Sequence, residues 1–361
     1  MNCKILIGTA KGLVVYNVTS DDSTQFEKVH FIGFNVSMVF VDQLTNRWWV
    51  GLSHRHWGQK LHFSDNEGKN WEEVAMPTYQ GAVLPNGQPA KLRQVWTLSN
   101  GGVSHPGRLW MGTDPGGLFI SEDNGQHFEL VRSLWDHPSR KQAGQWFGAG
   151  SDHPFIHSIV VDPDYDDHIY LAVSCAGIFK SEDDGKSWHP KNNGLRAAYL
   201  PNPSVEVGHD PHLLLQCKKD PNVLWQQNHC GIYVSRNRGE EWQEVSGPNS
   251  FPYYGFGLAI DECDPAAAWV FPVESDENRI PPQLRLQVSY TNDYGETWSD
   301  FSNGLPLFNA FDIVLRQAAF RNDHEFVFGT SNGNVYRYHS TEQVWKLLTS
   351  HLTKVSSIVV T

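Results

Sequence analysis

One eight-residue pattern, Ser/Thr-x-Asp/Asn-x-Gly-x-x-Trp/Phe, recurs five times in the chain and constrains its fold more than any other feature. It starts at Ser64, Ser121, Ser181, Ser235 and Thr291, at intervals of 57, 60, 54 and 56 residues. A near-constant period of this length marks a repeat architecture in which one supersecondary unit is copied. The pattern reads as a hairpin turn. Asp or Asn folds its side chain back onto nearby backbone N–H groups, Gly supplies a positive φ, and the aromatic packs beneath the turn as the next strand begins. These residues lock turns, and none of them is assigned to a functional site.

Upstream of each turn lies a pair of alternating apolar runs, such as Ile169-Tyr170-Leu171-Ala172-Val173 followed by Gly177-Ile178-Phe179-Lys180. A further apolar run precedes the pair, as in Ser158-Ile159-Val160-Val161. With the strand after the turn this makes four antiparallel strands per repeat, which is the blade of a propeller. Second strands begin near Ile5, Trp48, Leu109, Ile169, Leu224, Trp269 and Phe326, so the count is seven. The first and last repeats lack the turn motif but keep its aromatic, as Phe26 and Trp345. Innermost strands are expected near Val36, Arg93, His157, His212, Phe256, Ile313 and Val355. The first repeat begins with its second strand, and the segment 355–361 fits the vacancy. The expected fold is all-β: one seven-bladed propeller spanning residues 1–361, its ring closed by the C-terminal strand.

Composition excludes several classes of function. The 28 basic and 40 acidic residues give a net charge of −12, without the basic footprint that a nucleic-acid binder needs. The five cysteines form no C-x-x-C pair and no disulfide framework, which fits a reducing compartment. No signal core and no run of 18 apolar residues occurs, so the expectation is a cytoplasmic protein with no membrane partner.

Strand order sorts the loops by face. The innermost strand starts at the top of the channel and the second strand returns there, so the motif turns lie at the bottom. Function belongs at the top. Seven of the 17 histidines map to top-face loops of three repeats. His56 and His229 lie in second-to-third-strand loops, and His157 and His212 lead adjacent innermost strands. Imidazoles converging from separate strands suit a divalent metal such as zinc, iron, manganese or copper, or acid–base work on a polar ligand. The expected catalytic residues are His157, His212, His229 and Arg316; the expected metal ligands are His56, His157, His212 and His229. Arg316 stands in the apolar stretch Asp312-Ile313-Val314-Leu315-Arg316-Gln317, where a charge is costly unless it faces a polar channel. Arg93 and Arg279 are further candidates for binding an anionic group. Trp57, Trp146 and Tyr254 could stack on a sugar ring or cap a pocket. No organic cofactor is expected, and the sequence leaves the oligomeric state open.

The turn motifs, together with His157-Ser158-Ile159, Pro211-His212, Gln227-Asn228-His229-Cys230-Gly231 and Val314-Leu315-Arg316, resemble a bacterial family of Asp-box (BNR-repeat) β-propellers. Its members are usually labelled sialidase-like or glycosyl hydrolase, and the resemblance covers the whole chain. The arginine triad, Tyr/Glu pair and acidic proton donor of a sialidase cannot be assembled from the top-face residues. Three functions therefore stand side by side. The first is a small-molecule enzyme with a histidine-rich, metal-binding site acting on a polar, anionic or glycan-like ligand. The second is a glycoside hydrolase or lyase using carboxylates such as Asp152, Glu206 and Asp210. The third is a non-catalytic scaffold that binds a ligand or protein.

Overall fold

A computed structural model of the chain describes residues 3–19, 22–54, 56–142, 144–247 and 251–361. They form seven four-stranded antiparallel sheets arranged as blades around a channel. Blade one pairs Cys3–Thr9, Gly12–Val18 and Thr24–His30 with the C-terminal strand Val355–Val360. That last strand runs antiparallel to the first, Ile5 opposite Val360 and Ile7 opposite Ile358, and closes the ring. The inner strands of blades two to six are Asn35–Asp42, Gln94–Asn100, Ile156–Val161, Pro211–Gln216 and Gly255–Ile260. All fall where the sequence places them.

Blade seven is the correction. Its inner strand is Ala319–Arg321, and the apolar stretch 312–317 carrying Arg316 lies outside the ladder. The reason is Gln317, whose side-chain amide crosses to the carbonyls of Trp96 (3.0 Å) and His157 (3.1 Å) in other blades. Gln317 also forms an isolated parallel bridge with Ser357 of the closing strand.

The five repeated turns are alike in detail. The Ser or Thr hydroxyl accepts from the glycine N–H four residues on at 2.8–3.0 Å. It also donates to the Asp or Asn side chain two residues on, which in turn accepts the backbone N–H four residues beyond itself. Two consecutive residues take positive φ, as at Asn124 (60°) and Gly125 (80°). A Cβ on Gly125 would lie 2.2 Å from the ring of Trp49 in the preceding blade, so each turn also seats one blade against another. Of the two aromatics outside the motif, Trp345 is buried, whereas Phe26 is exposed and meets Tyr16 edge-on.

A third regularity positions the site. The pairing of inner with second strand slips by a residue between Val36 and Met38, Val95 and Thr97, Ile156 and Ser158, Pro211 and Leu213, and Gly255 and Leu258, where Phe256 and Gly257 stand against Phe271 alone. The residues left over are Ser37, Trp96, His157, His212 and the pair Phe256–Gly257. Bulges re-aim side chains; here several of the re-aimed residues meet over the channel, His212 stacking on Phe256 at 4.8 Å and Arg316 lying over both Trp96 and Phe256.

Candidate functional site

The centre of the top face is a buried carboxylate between two imidazoles. Asp210 precedes the inner strand of blade five, His212 occupies its bulge, and His229 heads the turn after Leu224–Asn228 in the same blade. Asp210 Oδ2 lies 3.4 Å from His212 Nε2 and 3.6 Å from His229 Nδ1. Its other oxygen accepts from Ser174 Oγ (2.9 Å) and the Cys175 backbone N–H (3.2 Å). Burial opposes ionisation of Asp210, yet the two imidazoles beside it and the Arg316 charge hold it well below the ordinary carboxylate range.

The imidazoles are oriented from behind. His212 Nδ1–H donates to the Gly255 carbonyl at 2.6 Å, so its Nε2 lone pair faces the Asp210 carboxylate. His229 Nε2 faces Asp276 Oδ2 at 3.5 Å. Burial lowers the His212 pKa against the pull of Asp210. Tyr254 stands edge-on to both rings at 5.4 Å, its phenol pushed up to about 12 by burial, with Arg279 opposing. Tyr199 meets His229 edge-on at 5.1 Å.

Beside this cluster, Arg316 is half-buried among Phe256 (5.1 Å), Phe155 (5.4 Å) and Trp96 (5.9 Å). Its buried Nε has no hydrogen-bond partner, and it forms no ion pair among the described residues. Arg279, exposed on the loop of blade six, lies over the same Phe256 ring at 5.2 Å.

Of the residues expected from sequence, His212, His229, Arg316, Arg279 and Tyr254 are thus brought together, and five others are not. His157 is committed elsewhere: Nε2–H donates to the Pro211 carbonyl (2.8 Å) and Nδ1 accepts from Ser158 Oγ (3.0 Å). Burial, then the Arg316 charge, holds it well below the ordinary imidazole range, so it is a neutral strut between blades four and five. His56 is exposed in blade two, on the opposite side of the ring from blade five, and does not belong to the cluster. Trp146 is no platform: its indole is buried, donates to Ser139 Oγ and stacks with Arg140. Arg93 is paired with Asp152 at 2.7 Å on the rim. Trp57 is exposed beside His54 on blade two. Sequence reasoning named Asp210 only as a possible carboxylate of a glycoside hydrolase and not as a partner of the histidines, although the spacing Asp210-Pro211-His212 puts both side chains on one side of an extended segment.

No family model matches the chain. Over 228 residues it is 23% identical to an oligoxyloglucan-reducing end-specific xyloglucanase of Emericella nidulans, a match taking in 54% of this chain and 25% of that enzyme. The match thus spans about a quarter of the length of the curated relative. Among solved structures, an ancestral GH74 enzyme superposes with a TM-score of 0.55 at 17% identity, covering 88% of this chain and 38% of that one. YCF48 from Cyanidioschyzon merolae superposes with a TM-score of 0.58 at 12% identity, covering 94% and 96% of the two chains. These likenesses agree with the propeller fold. Among the described residues no helix is long and apolar enough to cross a membrane.

Proposed function

We propose that the chain is an enzyme acting on a small anionic molecule at the top of the channel, with Asp210, His212 and His229 holding a divalent metal ion. One observation carries this reading. The ligand atoms of Asp210, His212 and His229 all lie within 4.8 Å of one another, and the Asp210 oxygen stands 3.4 and 3.6 Å from the two imidazole nitrogens, close to the spacing of about 3.3–3.4 Å between tetrahedral ligands around an ion at 2.0–2.1 Å. Without a cation, a lone pair of His212 faces a carboxylate inside the protein. The outer partners fit as well: the Gly255 carbonyl, Ser174, Cys175 and Asp276 each orient one ligand, as the second shell of a metal site does. Two imidazoles and one carboxylate suit zinc, and also iron(II) or manganese.

Three protein ligands leave a fourth tetrahedral position for water or substrate. A bound ion there would polarise a substrate oxygen or activate a water. The protein's own part is to place the substrate. Arg316 offers its unpaired guanidinium to an anionic group, and the rings of Trp96, Phe155 and Phe256 fix its direction and keep water from it.

Titration of chelator-treated protein with zinc, manganese and iron(II) tests this. One ion should bind per chain, His212→Ala and His229→Ala should each abolish it, and His157→Ala should retain it. Absence of stoichiometric binding, or equal loss in all three variants, would defeat the proposal.

A second reading, hydrolysis of a glycan, draws on the xyloglucanase match and on Asp114. Burial raises the pKa of this carboxyl, against the hydrogen bond that Ser151 Oγ donates to it at 2.5 Å, and its second oxygen is buried without a partner. Nearby, the Arg93 ion pair holds Asp152 ionised. Carboxyls whose surroundings push their pKa values apart are the material of acid–base catalysis. Release of sugar from xyloglucan oligosaccharides, lost in Asp114→Asn and kept in His212→Ala, would favour this reading over the first.

A further inference from the structure

Arg316 and Arg279 come from different blades, yet both guanidinium groups lie over one ring, that of Phe256, at 5.1 and 5.2 Å. The His212 imidazole stacks on that ring at 4.8 Å, so the two cations share the remaining π-surface. Attraction to an aromatic face steadies each of them, but it uses none of their N–H donors. Among the described residues Arg279 makes a single hydrogen bond, from Nε to the Asp276 carbonyl within its own loop. Neither arginine has a carboxylate within ion-pair distance among the described residues. The nearest buried anion, Asp210, is taken up by Ser174, Cys175 and the two histidines. Two like charges brought together with free, planar donor forks form a site for an anion that can answer both.

We infer that the molecule bound here carries two negative charges at one end, as a dicarboxylate or a phosphate monoester does, and is gripped between Arg316 and Arg279 over the ring of Phe256. This deepens the reading of Arg316 as the anion contact and rests on it. Arg316, fixed among three rings, supplies the permanent half of the clamp. Arg279, exposed on the loop 273–281, supplies the half that decides between one charge and two. Asp276 ties that loop to His229 at 3.5 Å, so closure of the loop on the second charge would also settle a residue of the metal cluster.

The test is calorimetric titration of the full chain at fixed ionic strength with acetate, succinate and methyl phosphate, because exposed charges are screened by salt. Succinate or methyl phosphate should bind at least about tenfold more tightly than acetate, and whichever of the two binds better identifies the chemistry of the dianion. Arg279→Gln should erase that margin while lowering acetate affinity far less than dianion affinity. Arg316→Gln should abolish binding of all three. Equal affinity for acetate and both dianions, or a margin that survives Arg279→Gln, would overturn the dianion inference alone. Binding of none of the three anions would overturn it together with the anion reading of Arg316.

Discussion

Removing the closure strand is the sharpest perturbation of the fold. In Val355–Val360 the side chains of Val355, Ile358 and Val360 are 0%, 3% and 2% exposed and belong to the core between blades six, seven and one. Burying each contributes roughly 1.5–3 kcal/mol, so the three together contribute about 5–9 kcal/mol. Backbone pairing with Cys3–Thr9 comes in addition, as do the bonds of Ser356 Oγ to the Gly8 and Val36 carbonyls. The whole stability of a native protein is about 5–15 kcal/mol. A chain ending at Lys354 should therefore be unfolded or aggregated at 25 °C, with the edge of Cys3–Thr9 bared for pairing with other chains. The graded version is Ile358→Ala, which should cost about 2–5 kcal/mol and lower the urea midpoint without changing the slope. The 14 tryptophans make fluorescence a sensitive readout. A truncated chain with a near-native urea midpoint would refute the view that this strand closes the ring.

Other outcomes follow from the same geometry. Asp183→Ala removes an acceptor for Ser181 Oγ, Ser187 N and Ser187 Oγ, and should lower stability by about 1–2 kcal/mol while leaving metal binding intact. Hydrogen bonds hold Asp293 down at about 2; at Asp123 burial works the other way, and the bonds from His127 and Ser121 still hold it at about 2. Both folded values lie below the ordinary carboxylate pKa of about 3.9, so between the two the unfolded chain binds more protons. Their stabilisation is thus complete above about pH 4 and is lost as the pH falls toward 2, which acid titration followed by fluorescence will register. Arg316→Lys should weaken anion binding while leaving metal affinity within a few-fold, because an ammonium cannot reproduce the planar fork.

How far the residues alone disclose this molecule depends on the range of the interactions involved. The repeat period, the second strands and the closing role of residues 355–361 are local or periodic facts, and all were readable. Blade seven was misplaced because Ile313, Val314 and Leu315 look like a strand. What removes them from the ladder is the reach of Gln317 to Trp96 and His157, 221 and 160 residues away in sequence. The site divides in the same way. His212 and His229 were visible as polar residues at the top of one repeat. His157 carries the same sequence signal as His212, one blade earlier, but the carbonyl of Pro211 in the next blade satisfies it. Trp146 lies in a loop that reads as exposed, and only its packing beneath Arg140 and against Phe179 reveals a core residue. The shared ring beneath Arg316 and Arg279 has no trace in sequence order, since Phe256 and Arg279 come from separate parts of blade six and Arg316 from blade seven.

The central claim is that Asp210, His212 and His229 are ligands of one ion, and a single crystallographic measurement addresses it. Crystals grown with zinc, with data collected on either side of the zinc absorption edge, should show one anomalous peak within about 2.0–2.2 Å of Asp210 Oδ2, His212 Nε2 and His229. An open position should face Arg316. A map with no peak between these residues at saturating zinc, or a peak held by other side chains, would contradict the account.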